Sequence, residues 1–356
     1  MAYTTIDDPG SHVSAFTYAG NSSANRTLTG VGFDPDLFWI KQRNSTQGHL
    51  LMDTVKGNDI YQPMVQNIDN PNTGIAELSD IGTIRSTADG FLLGAANESA
   101  HNGNGSNYIS WCWEADTAFS NDASATSVGS IDSAGRVNTD AGFSIIGWTG
   151  NGTNATIAHG LGAVPKMIWF KSRSSTQNWN VYHANTGNTH YTELNTSIAA
   201  TDHARFQDTT PTSTVFSVSG TDAVNDENDP MIAYCWAEIP GYSKIGTYEG
   251  QNVVDNVFIH LGFRPEIVFF KNVDDQTAWK IFDAGRDPFN DGTGAIASAN
   301  ENNAEDDNTA YNMNFVSNGI KMRGQNNNIN KVNTYIYAAW AKNPFVNSKG
   351  IPANAV

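Results

Sequence analysis

Apolar positions along this chain fall into short runs set between stretches of Asn, Ser, Thr, Asp and Gly, and three of the runs are alike: residues 37–41 (LFWIK), 167–171 (MIWFK) and 267–271 (IVFFK). None alternates apolar with polar, so each is predicted to be a strand covered on both faces, at the centre of a sandwich. The runs end on Lys41, Lys171 and Lys271, and a proline stands six residues before each lysine: Pro35, Pro165 and Pro265. Gly32, Gly162 and Gly262 precede the prolines, and Gly20, Gly150 and Gly250 lie 21 residues before the lysines. Twelve residues after them come Asp53, His183 and Asp283. A second pattern does alternate. Residues 107–115 (NYISWCWEA), 230–238 (PMIAYCWAE) and 334–342 (TYIYAAWAK) align Trp113, Trp236 and Trp340. Period two puts Ile109, Trp111 and Trp113 on one face, matched by Ile232, Tyr234 and Trp236 and by Ile336, Ala338 and Trp340.

Columns that recur without a gap define a tandem array. The fold class expected is all-β: three tandem β-sandwich (jelly-roll or lectin-like) modules with long loops and extended termini, at 1–117, 118–239 and 240–356. Each has five recurrent strands; residues 89–94, 213–220 and 318–324 supply a further one ahead of the closing strand. The Ser/Ala/Asp/Thr-rich segment 117–140 is expected to form an extra strand pair. The join at 238–244 is short enough to fix the mutual orientation of its two modules. Segment 287–308 reads as a long acidic loop, and the two terminal arms are expected to clasp neighbours. No amphipathic helix of three or more turns is predicted.

The glycines punctuate strand ends, where a positive φ or a close backbone approach is needed. The lysines can lay their methylenes on a core, and ion pairs of Lys41 with Asp53 and of Lys271 with Asp283 are expected, though His183 denies the second repeat that pair. Matching columns are expected to serve each module's own interior. Cys112 and Cys235 occupy matching positions, so they are read as two separate buried thiols with no disulfide.

Composition narrows the function. Among 356 residues, 36 Asp+Glu against 20 Lys+Arg give a formal charge of −16, which repels nucleic acid and anionic lipid. No apolar run approaches a membrane span, and no signal peptide opens the chain, so synthesis in a reducing cytoplasm is expected. His49, His159, His183, His190, His203 and His260 show no metal spacing, and no nucleophile elbow or phosphate loop occurs. No cofactor is expected; the acidic loops at 222–230 and 290–294 are the places where calcium would be sought. For sugar stacking the candidates are Trp148, Trp169, Trp179 and Tyr182, although most fall on columns that are large and apolar in every repeat, which argues core.

The opening MAYTTIDDP, the three Gly-x-x-Pro blocks ending on lysine, the join AEIPGYSKIGTY, the string WKIFDAGRDPFN and the ending YIYAAWAKNPFVNSKGIPANA together resemble a family of virion proteins of tailed, mostly marine, phages. The resemblance covers essentially the whole chain. It implies a non-enzymatic structural component on the particle, as tail fibre, spike or capsid appendage, made in the host cytoplasm. The partners it implies are other virion proteins and further copies of the chain. The alternative is an adhesin for a host receptor or surface glycan; third comes a polysaccharide depolymerase, which needs a pair of rigidly placed acids.

Overall fold

The computed structural model describes residues 3–55, 66–67, 84–94, 98–290 and 295–352. The chain is nearly all β, and among the described residues the only α-helical stretches are the single turns Ala123–Thr126 and Asp222–Asn225.

Three large antiparallel sheets share one strand order. The first runs Val13–Ala19, Asn107–Trp113, Leu37–Gln42, Leu50–Asp53, Gln66–Asn67. In the third repeat the same places are held by Ser243–Glu249, Thr334–Pro344, Phe263–Asn272, Lys280–Asp283 and Ala297–Ser298. In the second they are held by Phe143–Thr149, Pro230–Ala237, Pro165–Ser172, Asn180–His183 and His190–Glu193. There Thr201–Asp202 extends one edge, and Ser133–Asn138 with Thr117–Asn121 extends the other, so segment 117–140 does form a strand pair. In every repeat the first strand pairs with the last in the same register: Val13 opposite Trp113, Phe143 opposite Trp236, Ser243 opposite Trp340. The middle strands Leu37–Gln42 and Phe263–Asn272 are buried at every residue, as their unbroken apolar runs predict.

The two glycine columns have different causes. Gly20, Gly150 and Gly250 close the strand pair by donating to Ser106 O, Asp229 O and Asn333 O at 2.8, 2.8 and 2.9 Å. A Cβ there would stand 2.1, 2.0 and 2.0 Å from a carbonyl oxygen of Gly103, Asp226 or Lys331, so the reason is close approach. Gly32, Gly162 and Gly262 share a positive φ, of +101°, +67° and +84°, and at Gly32 and Gly262 a Cβ would also stand 2.7 Å from Gly10 O and 2.5 Å from the Tyr3 hydroxyl.

Each large sheet uses its two faces differently. One face meets a small sheet of its own repeat: Phe38, Ile40, Met52 and Cys112 pack with Leu28, Ile84, Phe91 and Leu93, and Ile168, Phe170 and Cys235 pack with Ile157, Phe216 and Val218. Cys112 and Cys235 are buried, free and in different clusters. The opposite face is shared, which corrects the expectation that all matching columns serve separate interiors. Trp39, Trp169 and Phe269 meet with ring centroids 5.9, 5.8 and 5.6 Å apart. Trp113, Trp236 and Trp340 form a second such triangle with sides of 6.1, 5.3 and 5.9 Å. Near-equal sides built from equivalent columns mean that the repeats surround a pseudo-threefold axis. The physical reason is in the strands: both faces are apolar, the small sheet covers one, and the other finds cover only against the other repeats.

The N-terminal arm helps to close the ring. It lies on the chain's own third repeat: Tyr3 donates its hydroxyl to Gly262 O at 2.8 Å, Ser348 N donates to Asp7 Oδ1 at 2.6 Å, and Ile6 is buried in the shared core. The acidic segment 287–308 closes the same junction, in so far as it is described. There Arg43 binds Glu305 with both prongs, at 2.5 and 3.0 Å, and His49 Nε2 meets Glu301 O at 2.9 Å.

Candidate functional site

The residues that recur most regularly converge on the junctions between repeats, so the junctions are where a site is sought first. Asp53, His183 and Asp283 end the fourth strand of their order, each opposite the start of the middle strand: Leu37, Met167 and Ile267. Lys41, Lys171 and Lys271 lie at the far end of that strand. Four residues at about 3.3 Å each separate the two columns. The expected Lys41–Asp53 and Lys271–Asp283 pairs are therefore ruled out by register, and each column bonds elsewhere.

The acids bond across the junctions to aromatic donors. Tyr234 donates its hydroxyl to Asp53 Oδ2 at 2.6 Å, from the second repeat to the first. Trp111 Nε1 donates to Asp283 Oδ2 at 2.8 Å, from the first repeat to the third. Arg286 completes that site with Nε 2.6 Å from Asp283 Oδ2 and its guanidinium 5.3 Å from the Trp111 ring. Trp111, Tyr234 and Ala338 occupy one column, so each acid faces the donor one repeat further round. The second repeat faces Ala338, which has nothing to donate. It carries His183 instead, whose Nε2–H reaches the backbone oxygen of Tyr337 at 3.2 Å. Burial pulls the His183 imidazole down to about 4, so it is neutral and able to offer one donor and one acceptor. The break in the acid column thus follows from the break in its partner column.

The lysines clamp turns. Lys41 Nζ donates to Gln42 O at 2.8 Å and Asn302 O at 3.3 Å; Lys171 Nζ to Ser175 O at 2.9 Å; Lys271 Nζ to Thr277 O at 2.5 Å and Ser197 O at 3.2 Å. Lys41 and Lys271 therefore reach into a different repeat. Burial alone pulls Lys271 down to about 7. Column 36/166/266 also reaches across junctions. Asp36 receives Arg136 at 2.6 Å from the second repeat and Glu266 receives Ala15 N at 3.2 Å from the first, and burial lifts both carboxylates above their ordinary range. Pro165 starts its middle strand and Pro265 is the third residue of its own, both at register shifts, and Pro35 sits just ahead of its strand.

The aromatic candidates for sugar are inside. Trp169, Trp179 and Tyr182 are no more than 2% exposed, so no ring face of theirs is open to a ligand, and Trp148, 5% exposed, only borders the groove between the first two repeats. Trp148 Nε1 is bonded to Asn225 Oδ1 at 3.0 Å. In segment 222–230, Asp222–Asn225 is a helical turn and Asp229 accepts from Ser172 and Ser174, so those oxygens are engaged. Of segment 290–294 only Asn290 is described, and it bonds Phe315 through both ends of its amide. Among the described residues, no three His, Cys, Asp or Glu side chains converge as metal ligands. An open groove of about 640 Å³ lies at the first–second junction, lined by Thr54, Phe119, Asn121, Asp122, Arg136 and Arg173 among others. No helix of the described residues is long and apolar enough to cross a membrane.

Sequence reasoning missed the trans-junction donors. The signal was available: in cyclic order an acid stands wherever the next repeat bears Trp or Tyr, and histidine stands where it bears alanine.

The fold and junctions define an all-β repeat protein closed around a shared aromatic core. The chain belongs to the family of the domain of unknown function DUF7483, whose model matches residues 8–344. No curated protein matches it.

Proposed function

We propose that the chain is a non-enzymatic structural protein of a tailed-phage particle, exposed on it as fibre, spike or capsid appendage and built of three β-sandwich modules. The observation that carries this reading is the fate of the recurrent polar residues. Asp53, Asp283, His183 and the three lysines are all buried and bonded to other parts of the same chain, most of them across junctions. Chemistry that needs a substrate needs groups facing a cavity. Here those groups are used to lock a ring, which suits a part whose task is shape. The terminal strings support the phage assignment. Mass spectrometry of purified particles, with the chain's copy number, tests the reading; its absence from particles that infect normally overturns it.

The adhesin reading draws on the open groove between the first two repeats, with its mixture of one phenyl ring, amides, carboxylates and guanidinium groups. A glycan array with the purified chain, compared with an Asn121→Ala variant, decides it.

A further inference from the structure

The pseudo-threefold arrangement supplies an internal control for the surface. The turn that follows Gly250 in the third repeat matches the one that follows Gly20 in the first, with positive φ at Asn252 and Asp255 against Ser22 and Asn25. At the loop tip the first repeat carries Ser23 with Ala24, whereas the third carries Val253 and Val254. The fold therefore does not require apolar side chains at this tip. Yet Val253 is 48% exposed and Val254 51% exposed. The neighbouring loop adds Val332, 72% exposed, and the two loops are tied together by Asn330 Nδ2 on Val253 O at 3.0 Å and Gly250 N on Asn333 O at 2.9 Å. Phe258, 46% exposed, follows on the outer side of the small sheet, opposite Lys321. Four large apolar side chains on one tip form a patch of the kind that marks an interaction site.

Charge identifies the occupant. A net charge of −16 makes most of the surface repel a second copy. Around this tip the charges nearly balance: Arg323 pairs with Asp255 at 2.9 Å and Lys331 with Asp275 at 3.8 Å, and Lys321 stands against the exposed Glu249 and Asp274. The tip is thus a place where two copies can approach with little repulsion, and a twofold contact needs no complementary patch because each copy brings the same one. We propose that Val253, Val254, Phe258 and Val332 form an isologous contact between two copies of this chain, tip to tip. The ring itself contributes nothing to this association, since its inner faces are already filled. The patch is small, so the dimer is expected to depend on concentration.

Sedimentation velocity of the full chain across a concentration series tests this directly. The expected result is a shift from 38.5 kDa towards twice that mass as concentration rises. The double variant Val253→Ser, Val254→Ala installs the residues of the first repeat, whose turn has the same pattern of positive φ, and is expected to stay monomeric with unchanged thermal unfolding. Phe289→Ser removes an isolated ring that is 81% exposed elsewhere on the third repeat, and is expected to dimerise like the parent. A parent chain that stays monomeric throughout overturns the proposal, as does a double variant that still dimerises. Both readouts use purified protein, so they stand apart from whether the chain is found on particles.

Discussion

The Tyr234 hydroxyl donates to the Asp53 carboxylate at 2.6 Å across the junction between the first and second repeats, and both groups are buried. A hydrogen bond to a charged acceptor in such a place contributes more than a neutral one, because losing the donor leaves the carboxylate short of a partner. Tyr234→Phe is expected to lower stability by about 2 kcal/mol. Asp53→Asn should lower it by a similar amount, and the double variant by clearly less than the sum. Urea unfolding of the four proteins measures the coupling. Additive losses would mean that the contact contributes nothing to the junction.

The second repeat gives the converse. His183→Asp restores the residue found in the other two repeats, and by sequence similarity alone it looks harmless. The facing column is Ala338, however, so the new carboxylate would be buried with no donor across the junction and only Asn185 N beside it. A loss of about 3–5 kcal/mol is expected. His183→Gln keeps an N–H for Tyr337 O and should be milder. Denaturant midpoints of the two variants decide the matter, and an aspartate variant as stable as the parent would refute the account.

Most of the strand content was legible in the sequence, because strand period and repeat spacing are local properties of the chain. Unbroken apolar runs marked the doubly covered middle strands, and the alternation around Trp113 correctly separated its two faces. What each face packs against was not legible. Phe38 and Trp39 look alike in sequence, yet Phe38 serves its own repeat and Trp39 the common axis. That choice depends on how whole repeats dock, which no window of residues encodes. The Lys41–Asp53 expectation failed for a related reason: spacing along the chain was read as proximity, when a hairpin places the two columns at opposite ends.

Acid should weaken the ring through its buried histidines. Burial pulls His49 down to about 3, and His159 and His183 to about 4, from the ordinary 6.5. In the unfolded chain they take up protons below about pH 6.5; in the folded chain they do not until near pH 4. The unfolded state therefore binds more protons across that window, and stability must fall as pH falls through it, by up to about 1.4 kcal/mol per pH unit for each histidine. Asp36 and Glu266, both raised by burial, oppose this only at the acid end. Lys271, pulled down to about 7, extends the same upward slope towards pH 10. Unfolding measured from pH 4 to 8 should show the slope, and His183→Gln should reduce it; a flat profile contradicts the burial of these rings.

The two glycine columns should separate on substitution. Gly150→Ala forces a Cβ to 2.0 Å from Asp226 O, a backbone atom that can yield only if the strand pair opens. Gly162→Ala meets nothing within 4 Å and bears only the strain of φ +67°. The expected losses are more than about 3 kcal/mol for the first and about 1 kcal/mol for the second. Equal losses in thermal melts would remove the distinction between close approach and positive φ.

The shared core makes one further claim, about cooperativity. Three domains with private interiors would unfold in separate steps. Here Trp113, Trp236 and Trp340 lie edge to face around one axis, each no more than 1% exposed, and each repeat's inner face is covered only by the other two. Removing any one repeat exposes the inner faces of both others, so no partly unfolded state keeps its apolar surface from water. Calorimetry should show a single transition whose van't Hoff and calorimetric enthalpies agree. Trp113→Ala should lower that transition as a whole, by about 3–5 kcal/mol, without splitting it. Trp113→Phe should be much milder, because among the described residues the Trp113 indole N–H has no oxygen or nitrogen acceptor and sits among edge-to-face rings. Two or three resolved transitions in the parent chain would mean that the repeats stand alone, and that the axis joins them without making them one folding unit.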